Sequence, residues 1–296
     1  MNLGIYADAV RARRPLIHSI TNYVTAADCA NLLLGCGARP MMADDPAEVA
    51  EITARSGGAV LNLGTPSERS IASLLLVHRA ALANRIPDVF DPVGVGSSEF
   101  RLRATASVLA VGAPTVIRGN LTEIRTVGTI VCGESAACGD GRTVGKATSE
   151  SRERDATGVD AARADHPDTS ELPEIADLAK RIARLTGSIV VITGETDIVA
   201  DGSKACFVRN GRPEMALVTG TGCQLSSLIA AYVASSPAEA FDACAAAVAA
   251  MGVAGEIATE RMSPPDGNAS YGRYLLDAVS RMSGGVLDER AVVEFV

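Results

Sequence analysis

The chain has 296 residues, 47% of them hydrophobic and 21% charged, which suffices for one large α/β domain or two small ones and makes disorder unexpected. A formal net charge of -8 argues against general nucleic-acid binding and against an anionic membrane surface, while leaving room for a local phosphate site. Aromatic residues are only 3% and Trp is absent, so the core is expected to be built from Ala, Val, Leu and Ile.

In chain order, short strands are predicted at Pro15 to Ile20 and Arg39 to Met42, a better one at Ala59 to Leu63, then Val89 to Asp91 and Thr115 to Arg118. Helical spacing falls between them, at Ala26 to Leu34, Ala47 to Arg55, Ile71 to Asn84 and Leu102 to Val111. Such alternation predicts a mostly parallel sheet with helices on both faces. Ligands of such sheets bind at the carboxyl ends of the strands, where Asn22, Asn62, Asp91, Arg118 and Asn120 fall. Any one of them is ordinary turn chemistry; five repetitions point to a shared rim.

Glu134 to Ser170 is rich in Gly, Ala, Ser, Thr, Asp and Arg, with scattered apolar residues, and reads as an exposed insertion, its core at about 134–157. Within it, Gly141 to Ala147 resembles a phosphate loop, but the glycine spacing is one short and Ala147 replaces the hydroxyl residue that would hold magnesium. A helix at Leu172 to Leu185, a buried strand at Ile189 to Thr193 and a hairpin at Asp197 to Ala200 and Ala205 to Val208 follow. The remainder reads as helices at Gln224 to Ala234, Ala238 to Arg261 (opened by Pro237, with Ser235 or Ser236 as cap) and Tyr271 to Met282.

Seven cysteines without a Cys-x-x-Cys pair, and histidines far apart at 18, 78 and 166, suggest neither a disulfide framework nor a zinc site and fit a reducing cytoplasm. The N-terminus lacks a signal pattern, and the weakly polar run Ala243 to Gly255 is too short to span a bilayer, so no membrane association is expected.

The most informative stretch is Leu217 to Cys223, a β-branched run ending in Gly220-Thr221-Gly222, after which an apolar helix pattern begins. Two glycines let the backbone approach a ligand and expose its N–H groups, and the helix adds further unpaired amides and its positive dipole end. This is a place for an anion or a developing charge; it is equally a tight strand-to-helix connection with a buried cysteine. A second set, Asp91-Pro92-Val93-Gly94-Val95-Gly96, places a carboxylate before a glycine-rich turn. A third runs from Val116 to Glu123, where Arg118 offers a fork to phosphate oxygens and Glu123 a carboxylate able to hold magnesium with Asp91, directly or through water. Singly, these are a salt-bridged arginine and a first-turn helix carboxylate. Together they make a phosphoryl-transfer kit of anion cradle, cation clamp and metal carboxylates.

These stretches resemble the hydroxyethylthiazole kinase family of the ribokinase-like fold, as do Pro15 to Thr25, Gly37 to Ala43, Leu61 to Thr65 and Ile192 to Asp197, all in the family's order. The resemblance covers the chain except the insertion, and implies a single ribokinase-like domain over 1–296 without a separate lid. It implies ATP contacts at Arg118 and Thr193, thiazole-site residues at Met42, Gly220 and Asn22 with Asn62 to Thr65 nearby, and magnesium carboxylates at Asp91 and Glu123. Cys223 resembles the residue beside the substrate hydroxyl, where ribokinase-like relatives usually carry Asp. The family's members are trimers with sites at subunit interfaces. Gln224, where an apolar residue is usual, and Asn268 to Tyr271, where a Gly-Pro-Gly-Ser-Phe-like turn is usual, depart from its pattern.

The expected activity is ATP-dependent phosphorylation of the alcohol of 4-methyl-5-(2-hydroxyethyl)thiazole, in thiamine salvage. A kinase of another small alcohol, such as a hydroxymethylpyrimidine, is the nearest alternative. A cysteine hydrolase with Cys223 as nucleophile would need a base beside the thiol, for which His18 is the only strand-end candidate. A nucleotide-binding module without turnover is the third.

Overall fold

The computed structural model describes residues 2–132 and 169–296. The insertion at 134–157, the phosphate-loop look-alike at 141–147 and His166 lie outside the described residues.

The described strands form one sheet in the order β2-β1-β3-β4-β5-β6-β7-β8-β9. β1 (Leu16–Ile20), β2 (Arg39–Met41), β3 (Gly58–Asn62), β4 (Asp88–Asp91), β5 (Val116–Asn120) and β6 (Ile189–Thr193) run parallel. β7 (Asp197–Ala200), β8 (Ala205–Val208) and β9 (Val293–Phe295) continue the sheet antiparallel. The inner strands are buried on both faces, which is why they read as unbroken apolar runs.

Successive residues of a strand serve opposite layers. Val60 packs into a cluster built with α1 (Gly4–Arg13), α2 (Ala26–Cys36), α8 (Thr221–Ser235), α9 (Ala240–Arg261), α10 (Asn268–Arg281) and α11 (Gly284–Arg290). Its neighbours Ala59 and Leu61 pack on the other face, which is covered by α3 (Val49–Ala54), α4 (Glu68–Asn84) and α5 (Glu99–Val111). α6 (Leu121–Cys132) and α7 (Leu172–Thr186) cover that face over β5 to β8.

The run Pro237–Arg261 spans 25 residues, longer than the apolar stretch read from sequence, and 78% of its most apolar window is buried inside the molecule. It is the core helix of its layer, and Ala and Gly along it allow close packing; at Gly252 a Cβ would lie 2.6 Å from backbone atoms of Asn210. A 3-10 turn at Pro237–Glu239 precedes α9, so Pro237 opens that turn rather than the helix, and neither Ser235 nor Ser236 caps α9 by its side chain.

Three further features go beyond the sequence reading. α1, α11 and β9 carry short or interrupted apolar faces and are held by contacts distant in sequence, among them Gly4 N–H to Asp288 Oδ1 (2.8 Å) and Gly284 N–H to Asp8 Oδ1 (2.9 Å). α6 begins directly where β5 ends, without a loop. The residues before Gly220 form a 3-10 turn, Pro213–Leu217, not the expected strand: Pro213 opens the turn, and the β-branched pair Val218-Thr219 is too short to outweigh it.

Candidate active site

The inner parallel strands end along one edge, and each delivers polar side chains there. Asn62 ends β3 beside Asp91 at the end of β4, and Asn120 ends β5 beside Thr193 at the end of β6. Asn22 follows β1, and the N-terminus of α8 stands over this edge.

Asp91 is fully buried at the centre. Its Oδ2 accepts hydrogen bonds from Asn62 Nδ2 and from Ser226 Oγ on α8, both at 2.8 Å, and faces Arg118 Nη1 at 3.5 Å. Its Oδ1 is buried without a partner. Cys223 Sγ accepts from Asn22 Nδ2 (3.1 Å) and Asn62 Nδ2 (3.3 Å). Both amides are held in orientation, since Asn22 Oδ1 accepts from the amide and hydroxyl of Thr25 (3.0 and 3.1 Å) and Asn62 Oδ1 accepts from Gly64 N–H at 2.8 Å.

Burial, followed by the charge of Asp91, pushes the Cys223 thiol up to about 12. The helix N-terminus by itself would favour a thiolate, but loss of solvation and an adjacent carboxylate outweigh the dipole, and the group is a thiol at neutral pH. His18 is not its base. It lies within β1, with Nδ1 at 2.8 Å from Thr53 Oγ1 and Nε2 at 2.9 Å from the Ala43 carbonyl, and burial lowers its pKa.

Arg118 Nη2 donates to Thr193 Oγ1 at 2.7 Å. Burial disfavours the Arg118 charge, but Asp91 and then Glu123 outweigh it and raise its pKa. The first intrahelical bond of α8 runs from Gln224 N–H to the Gly220 carbonyl at 2.9 Å, so the amides of Thr221, Gly222 and Cys223 lie outside the ladder. Gly220 adopts φ +89 and its missing side chain makes room for Thr25; Gly222 makes room for Arg118.

Glu123 forms a capping box with Asn120: Glu123 N–H donates to Asn120 Oδ1 and Asn120 N–H to Glu123 Oε2, both at 2.8 Å. Its Oε1 accepts from Gly94 N–H at 2.7 Å. Burial and then the charge of Asp91 push its pKa up to about 7. Among the described residues no three His, Cys, Asp or Glu side chains form a metal cage. Magnesium needs none, because it binds through one or two carboxylates, waters and substrate phosphates. The unpartnered Oδ1 of Asp91 and the lone pairs left on Glu123 fit that donor set.

Beside Thr193 and Gly194 lies a mostly apolar cavity lined by Leu121, Leu172, Ile175 and Ile198. Asp197 Oδ1 accepts from Gly194 N–H at 2.9 Å, and burial pushes that carboxyl up to about 7. Met42 lies one strand outward, after the edge strand β2, apart from the hydrogen-bonded array. Gln224 is buried and its Oε1 has no partner.

Sequence reasoning missed Ser226, Thr25 and Asp197. Ser226 was within reach, because it stands three residues after Cys223 and so shares its helix face. Thr25 and Asp197 act through short loops whose conformation no periodicity reveals.

A sequence model described as the hydroxyethylthiazole kinase family matches residues 7–284. A hydroxyethylthiazole kinase of Clostridium acetobutylicum is 42% identical over 285 residues, 96% of each chain. A solved structure of the hydroxyethylthiazole kinase protein from Pyrococcus horikoshii superposes with a TM-score of 0.81 at 29% identity, covering 99% of this chain and 98% of that one. A ribokinase-like superfamily protein from Enterococcus faecalis superposes at 0.55 with 11% identity over 92% and 93%, a likeness of fold alone. The fold is thus ribokinase-like, with no separate lid among the described residues, and the chain belongs to the hydroxyethylthiazole kinase family.

Proposed function

We propose that the rim formed by Asn22, Asn62, Asp91, Arg118 and Cys223 beneath the start of α8 is the phosphoryl-transfer site of this enzyme. The protein is a phosphotransferase that uses ATP to phosphorylate the alcohol of 4-methyl-5-(2-hydroxyethyl)thiazole, a step of thiamine salvage. The observation that carries the site assignment is a fully buried Asp91 whose Oδ2 faces Arg118 and accepts from Ser226 in the first turns of α8, while its Oδ1 has no partner.

In this reading Arg118 and Thr193 hold the phosphates of ATP. Asp91, with Glu123 directly or through water, holds a magnesium ion, which when bound neutralises phosphate charge. Asn22, Gly220 and Met42 border the thiazole. The alcohol oxygen forms a bond to the γ-phosphorus as the bond to the bridging oxygen of ADP breaks, while the amides of residues 221–223 stabilise the transferring group. Cys223, a neutral thiol, orients the hydroxyl. A loose transition state builds little bond to the incoming oxygen, so no strong base is needed, and the alcohol proton leaves to a phosphate oxygen or water.

We infer a single kinase domain over 1–296, since all described strands share one sheet. A homotrimer with the site at the subunit interface follows from the family resemblance. Exposed apolar side chains near this edge, Tyr23, Val24 and Met41, support it, and sedimentation velocity tests it. Five cysteines that are free and buried among the described residues favour a cytoplasmic location, whereas Cys132 is disulfide-bonded, against the expectation from sequence.

A coupled ADP-release assay over several heteroaromatic alcohols, with and without magnesium, tests the reading. Release is expected to need magnesium and to be fastest with the thiazole; much faster turnover of a pyrimidine alcohol sinks the substrate assignment.

A further inference from the structure

Arg101 is not hydrogen-bonded to Asn22, Asp91, Arg118, Thr193 or Cys223, and meets the rim only through main-chain carbonyls. It is the third residue of α5, where its own amide donates to the capping Ser98 Oγ at 3.2 Å. Its guanidinium reaches two loops of the sheet edge. Nη1 donates to the carbonyls of Leu63 and Val93, the latter at 2.6 Å, and Nη2 donates to the carbonyl of Gly64 at 2.8 Å. Leu63 and Gly64 directly follow Asn62, which holds Cys223. Val93 follows Asp91, and the next residue, Gly94, gives its amide to Glu123. A backbone bond from Leu63 N–H to the Asp91 carbonyl (3.0 Å) also links the two loops.

A partly buried cation held by three main-chain carbonyls satisfies those acceptors and so stabilises the two loops, as any donor set there would. What it uniquely supplies is a planar fork that spans two chain segments at fixed separation; a lysine, as a point charge, cannot reproduce that span.

We propose that Arg101 is a positioning residue for phosphoryl transfer. It locks the alcohol-side loop after β3 to the phosphate-side loop after β4, so that Asn62 and Asp91 keep the separation at which one amide of Asn62 serves both Asp91 and Cys223. The inference rests on the phosphoryl-transfer reading of the rim.

The test compares the wild type with Arg101→Lys and Arg101→Met. It measures kcat and both Michaelis constants per folded molecule, together with unfolding midpoints. A displacement of reacting groups by about 1 Å costs on the order of 100-fold in rate. Arg101→Met is therefore expected to lower kcat by about 10- to 100-fold and to raise the Michaelis constant for the alcohol more than that for ATP. Arg101→Lys, which keeps the charge and folds more readily, is expected to recover only part of kcat. Kinetic constants of both variants within about twofold of the wild type per folded molecule overturn the proposal, even if their midpoints fall. A wild type without kinase activity overturns the underlying reading instead, so the two failures are distinguishable.

Discussion

The guanidinium of Arg118 occupies the space that a side chain at residue 222 would fill. A Cβ on Gly222 would lie 2.6 Å from Nη1 and 2.8 Å from Nη2. The glycine of the helix turn and the arginine of β5, more than a hundred residues apart, are therefore one device: the turn can sit on the phosphate clamp only because it has no side chain there. Gly222→Ala is expected to push Arg118 out of place while leaving the fold intact. Arg118→Ala removes the charge-assisted contact itself, worth about 1.5–3 kcal/mol. Both variants should lose about 10- to 100-fold in kcat/KM for ATP. Steady-state kinetics at saturating alcohol check this; unchanged constants for ATP place the nucleotide elsewhere.

A second buried pair makes a prediction about pH. His78 Nδ1 lies 2.6 Å from Asp88 Oδ2 and its Nε2 lies 3.1 Å from the Gly112 carbonyl, so both ring nitrogens face acceptors. Burial pulls the imidazolium pKa down, but the hydrogen bond and charge of Asp88, with the carbonyl, outweigh it and raise it overall. The stability contributed by this charge is then complete below the unfolded histidine value of about 6.5 and is lost as pH rises through the higher folded value. Thermal unfolding midpoints between about pH 6 and 9 should fall for the wild type more than for His78→Gln. Parallel curves would show that His78 does not carry the effect.

Much of the fold was legible because parallel strands are buried on both faces. Ile189–Thr193 and the hairpin Asp197–Ala200 with Ala205–Val208 fall where apolar runs and the Asp201-Gly202 turn placed them. The gathering of Asn22, Asn62, Asp91, Arg118 and Asn120 at one edge followed from a topological rule that needs only strand ends. What sequence did not disclose depends on contacts across the chain. α1 is held by α11 through Gly4 and Gly284, and the protonation of Cys223 depends on burial and on Asp91, two strands away from β1. Glu123 illustrates the limit: its plain reading as a first-turn carboxylate is realised in the capping box, and the site role stands on oxygens the box leaves unfilled.

Arg11 is a stability residue far from the rim. From α1 it donates to the carbonyls of Val279, Ser280 and Met282 at the end of α10 and to that of Gly35 near the end of α2. It thus satisfies the orphan carbonyls of two helix ends with one cation. Arg11→Ala is expected to cost about 2–3 kcal/mol in denaturant unfolding. The kinetic constants of the folded fraction should not change, since Arg11 lies outside the rim. A stability loss below about 0.5 kcal/mol would mean that water replaces the guanidinium at these carbonyls.

Cys223 separates the kinase mechanism from nucleophilic chemistry. Its sulfur accepts from two asparagine amides and is held as a thiol by burial and by Asp91, so neither the attack of a thiolate nor strong general-base action is available near neutral pH. Cys223→Ala removes a group that orients the hydroxyl but leaves Arg118, Asp91 and the helix amides in place. Turnover is expected to fall about 10-fold or more and to remain measurable. Cys223→Asp puts a carboxylate at the same spot beside Asp91; it should keep or raise turnover if proton removal contributes to the rate, and lower it if orientation by a neutral group is the whole role. Intact-protein mass spectrometry during wild-type turnover should show no added phosphoryl or acyl mass. A covalent adduct on Cys223, with complete loss of activity in both variants, would overturn direct transfer from ATP to the alcohol.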